Sequence, residues 1–370
     1  MPHGCAFSRM HGPGSARRPN FLYTFLPQPS PGLGWQVDQI IQVEAPARLH
    51  LGFLDLRGDL GRRFGGVGVS LKEIQTYVEC ARSTEFSARG VDSERALKYA
   101  RRLLSMMGRE DAVNIEVHQA IPQHAGLGSG TQMALAVGTA VNHLFKLGLT
   151  TYEIAEKLGR GGRSGIGIGS FEQGGFLVDG GRGDGDQLPP IIARHPFPEH
   201  WRIVLLMARR DKEGLSGEAE RRAFANLPQF PASDAAHLCR LALMRILPSL
   251  LESDLPGFAQ GIGELQDKVG DYFAPAQGGQ FSHLNTRHLL KQAKQLGFQG
   301  VGQSSWGPTG FILTDSETQA HALARKLQPV DSGLEIRIVG ASNHGHQLTV
   351  TAGAEEMESR YEELGSQTRT

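Results

Sequence analysis

The sequence of 370 residues carries 38 basic and 38 acidic side chains, so its formal net charge is zero. That balance argues against nucleic-acid and membrane partners, because both need a clustered excess of positive charge. Three cysteines without a C-x-x-C pair, and no apolar run as long as a membrane span, favour a cytoplasmic protein without disulfides.

The first 37 residues differ in composition from the rest of the chain. They are rich in proline, glycine and serine, and their apolar stretch FLYTFL is too short for a secretory signal. We therefore predict a poorly ordered tail over residues 1–37. The remaining pattern predicts a first domain over 38–190, a second domain over 191–355 and a C-terminal tail over 356–370.

Strand and helix patterns alternate in the first domain. The segments QIIQVEA and ARLHLGFLD have the alternation of strands and are separated at Pro46, and residues 93–107 have the apolar spacing of a helix. VNIEVHQAIP is a further strand, and GLGSGT then leads directly into a helix that ends near Gly148. Thr150 and Glu153 have the spacing of a capping box for the next helix.

The second half of the chain mixes helices and strands without a regular βαβ rhythm. The proline-rich segment 186–200 predicts a linker. Helical patterns lie near 216–226, 234–251, 284–296 and 316–327, and strand patterns lie near 201–208, 309–314, 334–340 and 346–352. This mixture favours an α+β protein over a doubly wound sheet.

The segment IPQHAGLGSGTQMALAVG combines the end of a strand, a glycine-rich loop and the start of a helix. Unpaired N–H groups at a helix start carry partial positive charge and bind anions. The loop lacks the Walker and Rossmann spacings, and a glycine-rich cap of a buried helix is the alternative interpretation. We predict phosphate contacts, with Ser129 also as a candidate metal ligand, from Gly126, Leu127, Gly128, Ser129, Gly130 and Thr131.

Three motifs in this order resemble those of the GHMP kinase superfamily. The loop P-x-x-x-G-L-G-S-G-T-Q resembles the second motif, PARLHLGFLDLRGDLG at 46–61 the first, and GVGQSSWGPTGFIL at 300–313 the third. The resemblance implies a two-domain α+β fold. It also implies a left-handed βαβ unit in the N-terminal domain and a ferredoxin-like C-terminal domain.

The glycine-rich segment RSGIGIGSFEQGG, residues 163–175, resembles the part of the superfamily where many kinases keep a catalytic acid. That acid follows an S-G-x pattern, and Gly167 stands at its position here. A glycine has no side chain that could accept a proton from a hydroxyl. The substitution weakens a kinase interpretation, and we expect the position to offer room and backbone groups to a substrate.

The first motif, the loop and segment 163–175 together resemble the β-ribofuranosylaminobenzene 5′-phosphate synthases. This family joins phosphoribosyl pyrophosphate to 4-aminobenzoate with loss of pyrophosphate and CO₂, in the biosynthesis of methanopterin-type one-carbon carriers. The resemblance implies these two small-molecule substrates, Mg²⁺ and a homodimer. Because the nucleophilic carbon loses CO₂ in place of a proton, the reaction needs no base at Gly167.

Within this resemblance the first motif contains the catalytic candidates. Asp55 would stabilise the positive charge that develops on the sugar, although a loop-capping acid is its alternative role. Arg62 and Arg63 have guanidinium groups that match a phosphate or the acceptor's carboxylate. We expect Asp55 and Arg62 to be catalytic and Arg63 to bind substrate.

Four further residues are predicted to bind substrate. Arg48 and His50 alternate along one strand, and Ser304 and Ser305 lie in the third motif.

Two alternative functions stay open. One is an ATP-dependent kinase that acts on a small-molecule hydroxyl, and the other is a non-catalytic sensor of a phosphorylated metabolite.

Overall fold

The computed structural model of the chain describes residues 39–185, 187–208, 227–305, 307–327 and 333–352. These residues belong to a compact unit that begins at Gln36. The predicted tails over 1–37 and 356–370, the predicted helix over 216–226 and Trp306 lie outside the described residues. Within the described residues, no helix is both long enough and apolar enough to cross a bilayer.

The described strands are β1 (Gln39–Asp55), β2 (Phe64–Ser83), β3 (Ser87–Gly90), β4 (Ala112–Gln119), β5 (Phe176–Asp179), β6 (Ile191–His195), β7 (Arg202–Ala208), β8 (Val301–Gln303), β9 (Gly310–Thr314), β10 (Leu334–Val339) and β11 (Gln347–Ala352). The described helices are α1 (Ser93–Met106), α2 (Ser129–Phe145), α3 (Thr151–Lys157), α4 (Ile166–Glu172), α5 (Ala232–Leu241), α6 (Leu247–Leu251), α7 (Leu255–Gln277), α8 (Leu284–Gln295) and α9 (Glu317–Lys326). A π-helical turn, Ala242–Ile246, joins α5 to α6.

The larger sheet has seven strands. Its main path is β11-β1-β2-β4-β3, and β5 pairs with β2 and β6 at its side. The β3–β4 pair is parallel and is connected by α1, which makes a βαβ unit, whereas the other pairs are antiparallel. Because β5 and β6 pair, the predicted domain boundary at 190/191 falls between two paired strands, and β11 also belongs to this sheet.

The sequence pattern predicted two strands separated at Pro46, and this prediction is wrong. β1 is continuous through it, and the pairing register with β2 shifts between Pro46 and Arg48. A bulge of this kind accommodates a proline and changes the face to which the following side chains point. Ile41 and Val43 therefore pack in the core beneath α1 and α2, whereas Leu49 packs in a second core, which also contains Phe258 of α7.

The predicted capping box at the start of α3 is confirmed. The Thr150 hydroxyl accepts a hydrogen bond from Glu153 N at 3.2 Å, and the Glu153 carboxylate accepts one from Thr150 N at 2.7 Å. Both interactions satisfy N–H groups that the helix itself leaves unpaired.

The smaller sheet has four antiparallel strands in the order β10-β7-β9-β8. Along the chain, helices follow β7, the first of these strands, and α9 lies between β9 and β10, the third and fourth. This is the ferredoxin-like order that the resemblance implied. Phe258 of α7 packs on Phe176 of the larger sheet and on Phe197 and Trp201 beside the smaller one. One apolar core therefore contacts both sheets.

Two further features of the secondary structure differ from the interpretation of the sequence. The segment 186–200 is more than a linker, because Ile191–His195 forms β6 and pairs with β5 between Pro190 and Pro196. The 23-residue helix α7 was not predicted, because glycines and prolines interrupt its apolar pattern. Two of its glycines are needed for packing: a Cβ at Gly261 would lie 2.8 Å from Ile246, and one at Gly263 would lie 2.2 Å from the Gln299 carbonyl oxygen.

Candidate active site

The glycine-rich loop between β4 and α2 has the conformation that its sequence predicts. Gly126 and Gly128 have φ values of 77° and 84°, a region in which a side chain is strained, and Gly128 is the N-cap of α2. No side chain caps this helix start. The amide groups of its first turn are therefore suited to bind an anion.

The first motif holds this loop from one side. Arg48 N donates to the Leu127 carbonyl oxygen at 3.1 Å, and the Arg48 guanidinium donates to the Gly126 carbonyl oxygen. A Cβ at Gly128 would lie 3.0 Å from Arg48 Cγ, so the arginine stem lies directly against the loop. Arg48 thus positions the phosphate loop in addition to any contact with substrate.

The third motif holds the loop from the other side. The Ser304 hydroxyl donates to the Gly126 carbonyl oxygen at 2.6 Å and accepts from His50 N at 3.1 Å. A Cβ at Gly126 would lie 2.5 Å from the Ser304 carbonyl oxygen, and one at Gly307 would lie 2.5 Å from Gly126 Cα. Ser304 is fully buried, and its hydroxyl hydrogen is already donated, so this side chain joins the three motifs.

His50 is 2% exposed, and both of its ring nitrogens lack a hydrogen-bond partner among the described residues. Burial, with a smaller contribution from the charge of Arg48, lowers the pKa of His50 to about 3. The ring is therefore neutral at physiological pH and cannot hold an anion by charge. It lines a cavity of about 20 Å³, large enough for one water, with Phe53, Gln266 and Ser305.

Asp55 ends β1 and is half-buried. One of its carboxylate oxygens accepts from Arg57 N at 2.8 Å and from Gly58 N at 2.9 Å. This geometry fixes the turn that follows β1. Asp55 therefore performs the loop-capping role that the sequence offered as its alternative, and its carboxylate is held within the first motif, at the end of β1.

Arg62 and Arg63 lie beside the turn that follows β5. Arg62 donates to the Gly180 and Gly181 carbonyl oxygens at 2.7 Å each, and the backbones of Arg63 and Arg182 exchange two hydrogen bonds of 2.8 Å. Both arginines are exposed. Asp55 pairs with Phe64, the residue after Arg63, so the catalytic candidates of the first motif meet at one end of the β1–β2 pair.

Asp179, at the end of β5, was not predicted as part of the site. It is 1% exposed and accepts from Ser164 Oγ at 2.7 Å, from Gly165 N at 3.0 Å and from Gly181 N at 2.9 Å. Burial raises the pKa of Asp179 to about 6. This carboxylate joins the start of α4 to the turn that contacts Arg62, and a lone aspartate before a glycine pair gave no sequence signal of that task.

Gly167 lies on α4, which forms within the glycine-rich segment 163–175. The sequence pattern did not predict a helix there. Its carbonyl oxygen accepts from Gln132 Nε2 at 2.8 Å, and a Cβ would lie 3.1 Å from Thr131 Cγ2. The expectation of substrate room at Gly167 is therefore wrong, because this position packs on the first turns of α2. The contact also places position 167 beside the phosphate loop.

Ser129 does not fit the predicted role of a metal ligand. Its hydroxyl accepts a hydrogen bond from Arg95 Nη1 at 3.3 Å, and Asp92, the carboxylate next to that arginine, is ion-paired with it. Mg²⁺ prefers oxygen ligands, whereas a guanidinium repels a cation at this distance. The Ser129 hydroxyl is thus already used on Arg95, which counts against a metal at this oxygen.

Comparison with known proteins identifies the family. The GHMP kinases N terminal domain matches residues 94–174, and the GHMP kinases C terminal domain matches residues 246–329. Beta-ribofuranosylphenol 5'-phosphate synthase of Archaeoglobus fulgidus is 36% identical, over 84% of this chain and 100% of the relative. The protein of the same name from Methanothermobacter thermautotrophicus is 32% identical, over 82% of this chain and 97% of the relative. The chain belongs to the beta-ribofuranosylphenol 5'-phosphate synthase family.

The predicted resemblance to the ribofuranosyl 5′-phosphate synthases is thereby confirmed, although the relatives' name specifies a phenol where the prediction specified an aminobenzene. Solved structures confirm the GHMP-type two-domain α+β fold of this synthase family member. Homoserine kinase from Cytophaga hutchinsonii has a TM-score of 0.61 at 18% identity, over 86% of this chain and 100% of that one. Mevalonate diphosphate decarboxylase from Staphylococcus aureus has a TM-score of 0.57 at 14% identity, over 84% of this chain and 98% of that one.

Proposed function

We propose that the protein transfers the phosphoribosyl group of phosphoribosyl pyrophosphate to the ring carbon of 4-aminobenzoate that bears the carboxylate. The bond from ribose C1 to this carbon forms while the bond from C1 to the pyrophosphate oxygen breaks, and pyrophosphate keeps that electron pair. CO₂ then leaves the same ring carbon, and the electron pair of the broken carbon–carbon bond restores aromaticity. No base has to remove a proton from the nucleophile.

The full-length match to the synthase of Archaeoglobus fulgidus is the observation that carries this proposal, since it extends over 100% of that relative. The contacts among the three motifs support it, because they hold the glycine-rich loop beside the first motif, which contains Asp55 and leads directly into Arg62 and Arg63. Glycine at position 167 also agrees with a reaction that needs no base there. The kinase and sensor alternatives are not favoured.

A second acceptor follows from the relatives' name. A ribofuranosylphenol carries a hydroxyl group where a ribofuranosylaminobenzene carries an amine, so 4-hydroxybenzoate is the matching acceptor. Both groups donate electron density to the ring carbon opposite them, which is the carbon that attacks C1. The same residues would therefore serve either acceptor.

The proposed roles follow from the charge that develops in the reaction. The first turn of α2 would bind the leaving pyrophosphate, and Asp55 would stabilise positive charge on the ribose by Coulomb attraction. Arg62 and Arg63 would hold the carboxylate of the acceptor. The buried contacts of His50 and Ser304 favour a positioning role for both residues.

Three further properties complete the proposal. We expect Mg²⁺ to enter as part of the pyrophosphate substrate, since the surroundings of Ser129 do not suit a metal. We also expect a homodimer and a cytoplasmic location, in keeping with a metabolic enzyme that acts on small molecules.

The proposal is tested with 4-aminobenzoate and 4-hydroxybenzoate, each labelled in the carboxyl group. Each is incubated with the protein, Mg²⁺ and phosphoribosyl pyrophosphate, and labelled CO₂ is collected. We expect release that depends on phosphoribosyl pyrophosphate, with the faster acceptor identifying the substrate. Consumption of ATP on an alcohol without CO₂ release would establish the kinase, and ligand binding without either reaction would establish the sensor.

A further inference from the structure

Two arginines from other elements approach the first turn of α2. Arg95 belongs to α1, and Arg160 belongs to the loop between α3 and α4. Each has a buried Nε atom without a hydrogen-bond partner among the described residues. Buried guanidinium N–H groups are normally satisfied, so unpaired ones beside an anion-binding loop point to a ligand.

Arg160 is held with its guanidinium at the loop. Its backbone N donates to the Ala155 carbonyl oxygen at 2.7 Å, and its Nη2 donates to the Tyr99 hydroxyl. The guanidinium carbon also lies 5.2 Å from the centre of the Tyr99 ring. With the guanidinium held in this way, Arg160 Nη1 lies next to Gly130, and a Cβ at position 130 would be 3.2 Å from this nitrogen. The absence of a side chain at position 130 therefore lets a cation reach the start of α2.

Arg95 makes a different contribution. Its charge is balanced by the ion pair with Asp92, and its Nη1 is used on the Ser129 hydroxyl. It therefore fixes Ser129, whereas Arg160, which has no carboxylate partner among the described residues, adds net positive charge to the loop. The two arginines differ in task although both lie beside the same helix turn.

We propose that Arg160 is a catalytic residue that binds the leaving pyrophosphate at the first turn of α2, a role that rests on the proposed function. As the bond from C1 to oxygen breaks, negative charge grows on pyrophosphate. A guanidinium and the helix-start amides stabilise that charge without a proton transfer. Gly130 and Tyr99 are positioning residues, because one leaves space for the guanidinium and the other holds it.

Binding of inorganic pyrophosphate, measured by calorimetry on the full chain in the presence of Mg²⁺, tests this role. We expect Arg160→Gln to weaken binding about 10-fold or more, because a charge-assisted hydrogen bond is lost. The pyrophosphate affinity of Arg160→Lys should lie between those of the wild type and Arg160→Gln, since lysine keeps the charge but lacks the planar guanidinium. Arg325→Gln removes an exposed arginine of α9 and is the matched control, with unchanged affinity.

A double-mutant cycle separates this contact from a general loss of structure. Gly130→Ala places a methyl group against Arg160 Nη1 and improves helix propensity, so it should weaken pyrophosphate binding without lowering the melting temperature. In the Arg160→Gln background the same change should have little further effect on binding. Additive losses from the two substitutions would contradict a shared contact.

A pyrophosphate affinity of Arg160→Gln equal to that of the wild type and of Arg325→Gln would overturn the role of Arg160. The labelled-CO₂ assay reports the proposed function separately. Release of CO₂ together with unaltered pyrophosphate affinity in Arg160→Gln rejects the arginine and leaves the phosphoribosyl transfer in place.

Discussion

Asp55 combines a structural task with its proposed catalytic one, and a single substitution separates them. The carboxylate oxygen that caps the turn at Arg57 and Gly58 accepts two backbone hydrogen bonds. The side-chain oxygen of an asparagine can accept the same bonds but carries no charge. Asp55→Asn therefore preserves the turn and removes only the charge that would stabilise the ribosyl cation.

We expect Asp55→Asn to lower kcat by about 100-fold or more with little change in KM, as for loss of a group that acts in the transition state. Steady-state kinetics of CO₂ release would measure this. Asp59→Asn is the control, because Asp59 is an exposed turn residue paired with Arg57, and its activity should stay near wild type. Full activity of Asp55→Asn would remove Asp55 from the mechanism.

Asp179 should make stability depend on pH in an unusual direction. Burial raises its folded pKa from 3.8 to about 6, so the folded state holds this proton more tightly than the unfolded state. Its contribution to the free energy of unfolding is present below about pH 4 and falls by roughly 3 kcal/mol as pH rises past about 6. Urea unfolding of the wild type and Asp179→Asn should show this difference, and parallel pH profiles would contradict it.

His50 should have the opposite effect over part of the same range. Its folded pKa of about 3 lies below the ordinary 6.5, so its contribution to stability is present above pH 6.5 and is lost as pH falls toward 3. The wild type should lose up to about 1.4 kcal/mol per pH unit relative to His50→Gln in that range. The same urea series measures this loss, and a His50 that is charged at pH 6 would leave the difference constant.

The sequence predicted the glycine-rich loop because such a loop has a short and characteristic pattern, and its role in binding phosphate stays a prediction. The sequence did not reveal that the Ser304 hydroxyl is used on Gly126, since a serine in a turn has the same sequence signature whether it faces a ligand or the protein. Asp179 was missed for a related reason. Its importance comes from burial and from hydrogen bonds with Ser164, 15 residues earlier in the chain, and Gly181, two residues later, and neither spacing is a recognisable motif.

At the scale of elements, prediction succeeded where local chemistry decides the structure. The capping box of α3 and the amphipathic helix α1 are local, and both form within a residue or two of the predicted bounds. The helix α7 forms because of tertiary packing. Its glycines lower its intrinsic helix propensity, but they allow close contact with other elements. The strand β6 is decided by its partner β5, which the surrounding prolines concealed.

The phosphate loop should be more sensitive to a methyl group than an ordinary glycine turn. Gly126→Ala adds strain at φ 77° and also a contact of 2.5 Å with the Ser304 carbonyl oxygen. Gly108→Ala is the control, because Gly108 has φ 63° and no atom within 4 Å of its added Cβ. We expect Gly126→Ala to lose at least about 1 kcal/mol more in thermal unfolding. Equal losses would show that the loop is not held by the third motif.

At the scale of the whole molecule, Phe258 packs between the aromatic residues of both sheets. Phe258→Ala should lower the free energy of unfolding by about 3–5 kcal/mol and keep a single transition, because both sheets lose the same contact. Calorimetry measures both properties. Leu243→Ala, at a side chain 65% exposed, should change stability by no more than about 0.5 kcal/mol. Two separated transitions in Phe258→Ala would show that the sheets unfold independently.

The contact between Gly126 and Ser304 joins residues that are 178 positions apart in the chain. At a translation rate of about 5–20 residues per second, the ribosome adds the third motif roughly 10–35 s after the phosphate loop. During that interval the nascent chain has every glycine of the loop but lacks one of the two motifs that hold it. The contact with the third motif is therefore made late in synthesis, and a chain released before residue 300 would carry the whole loop with only the first motif beside it.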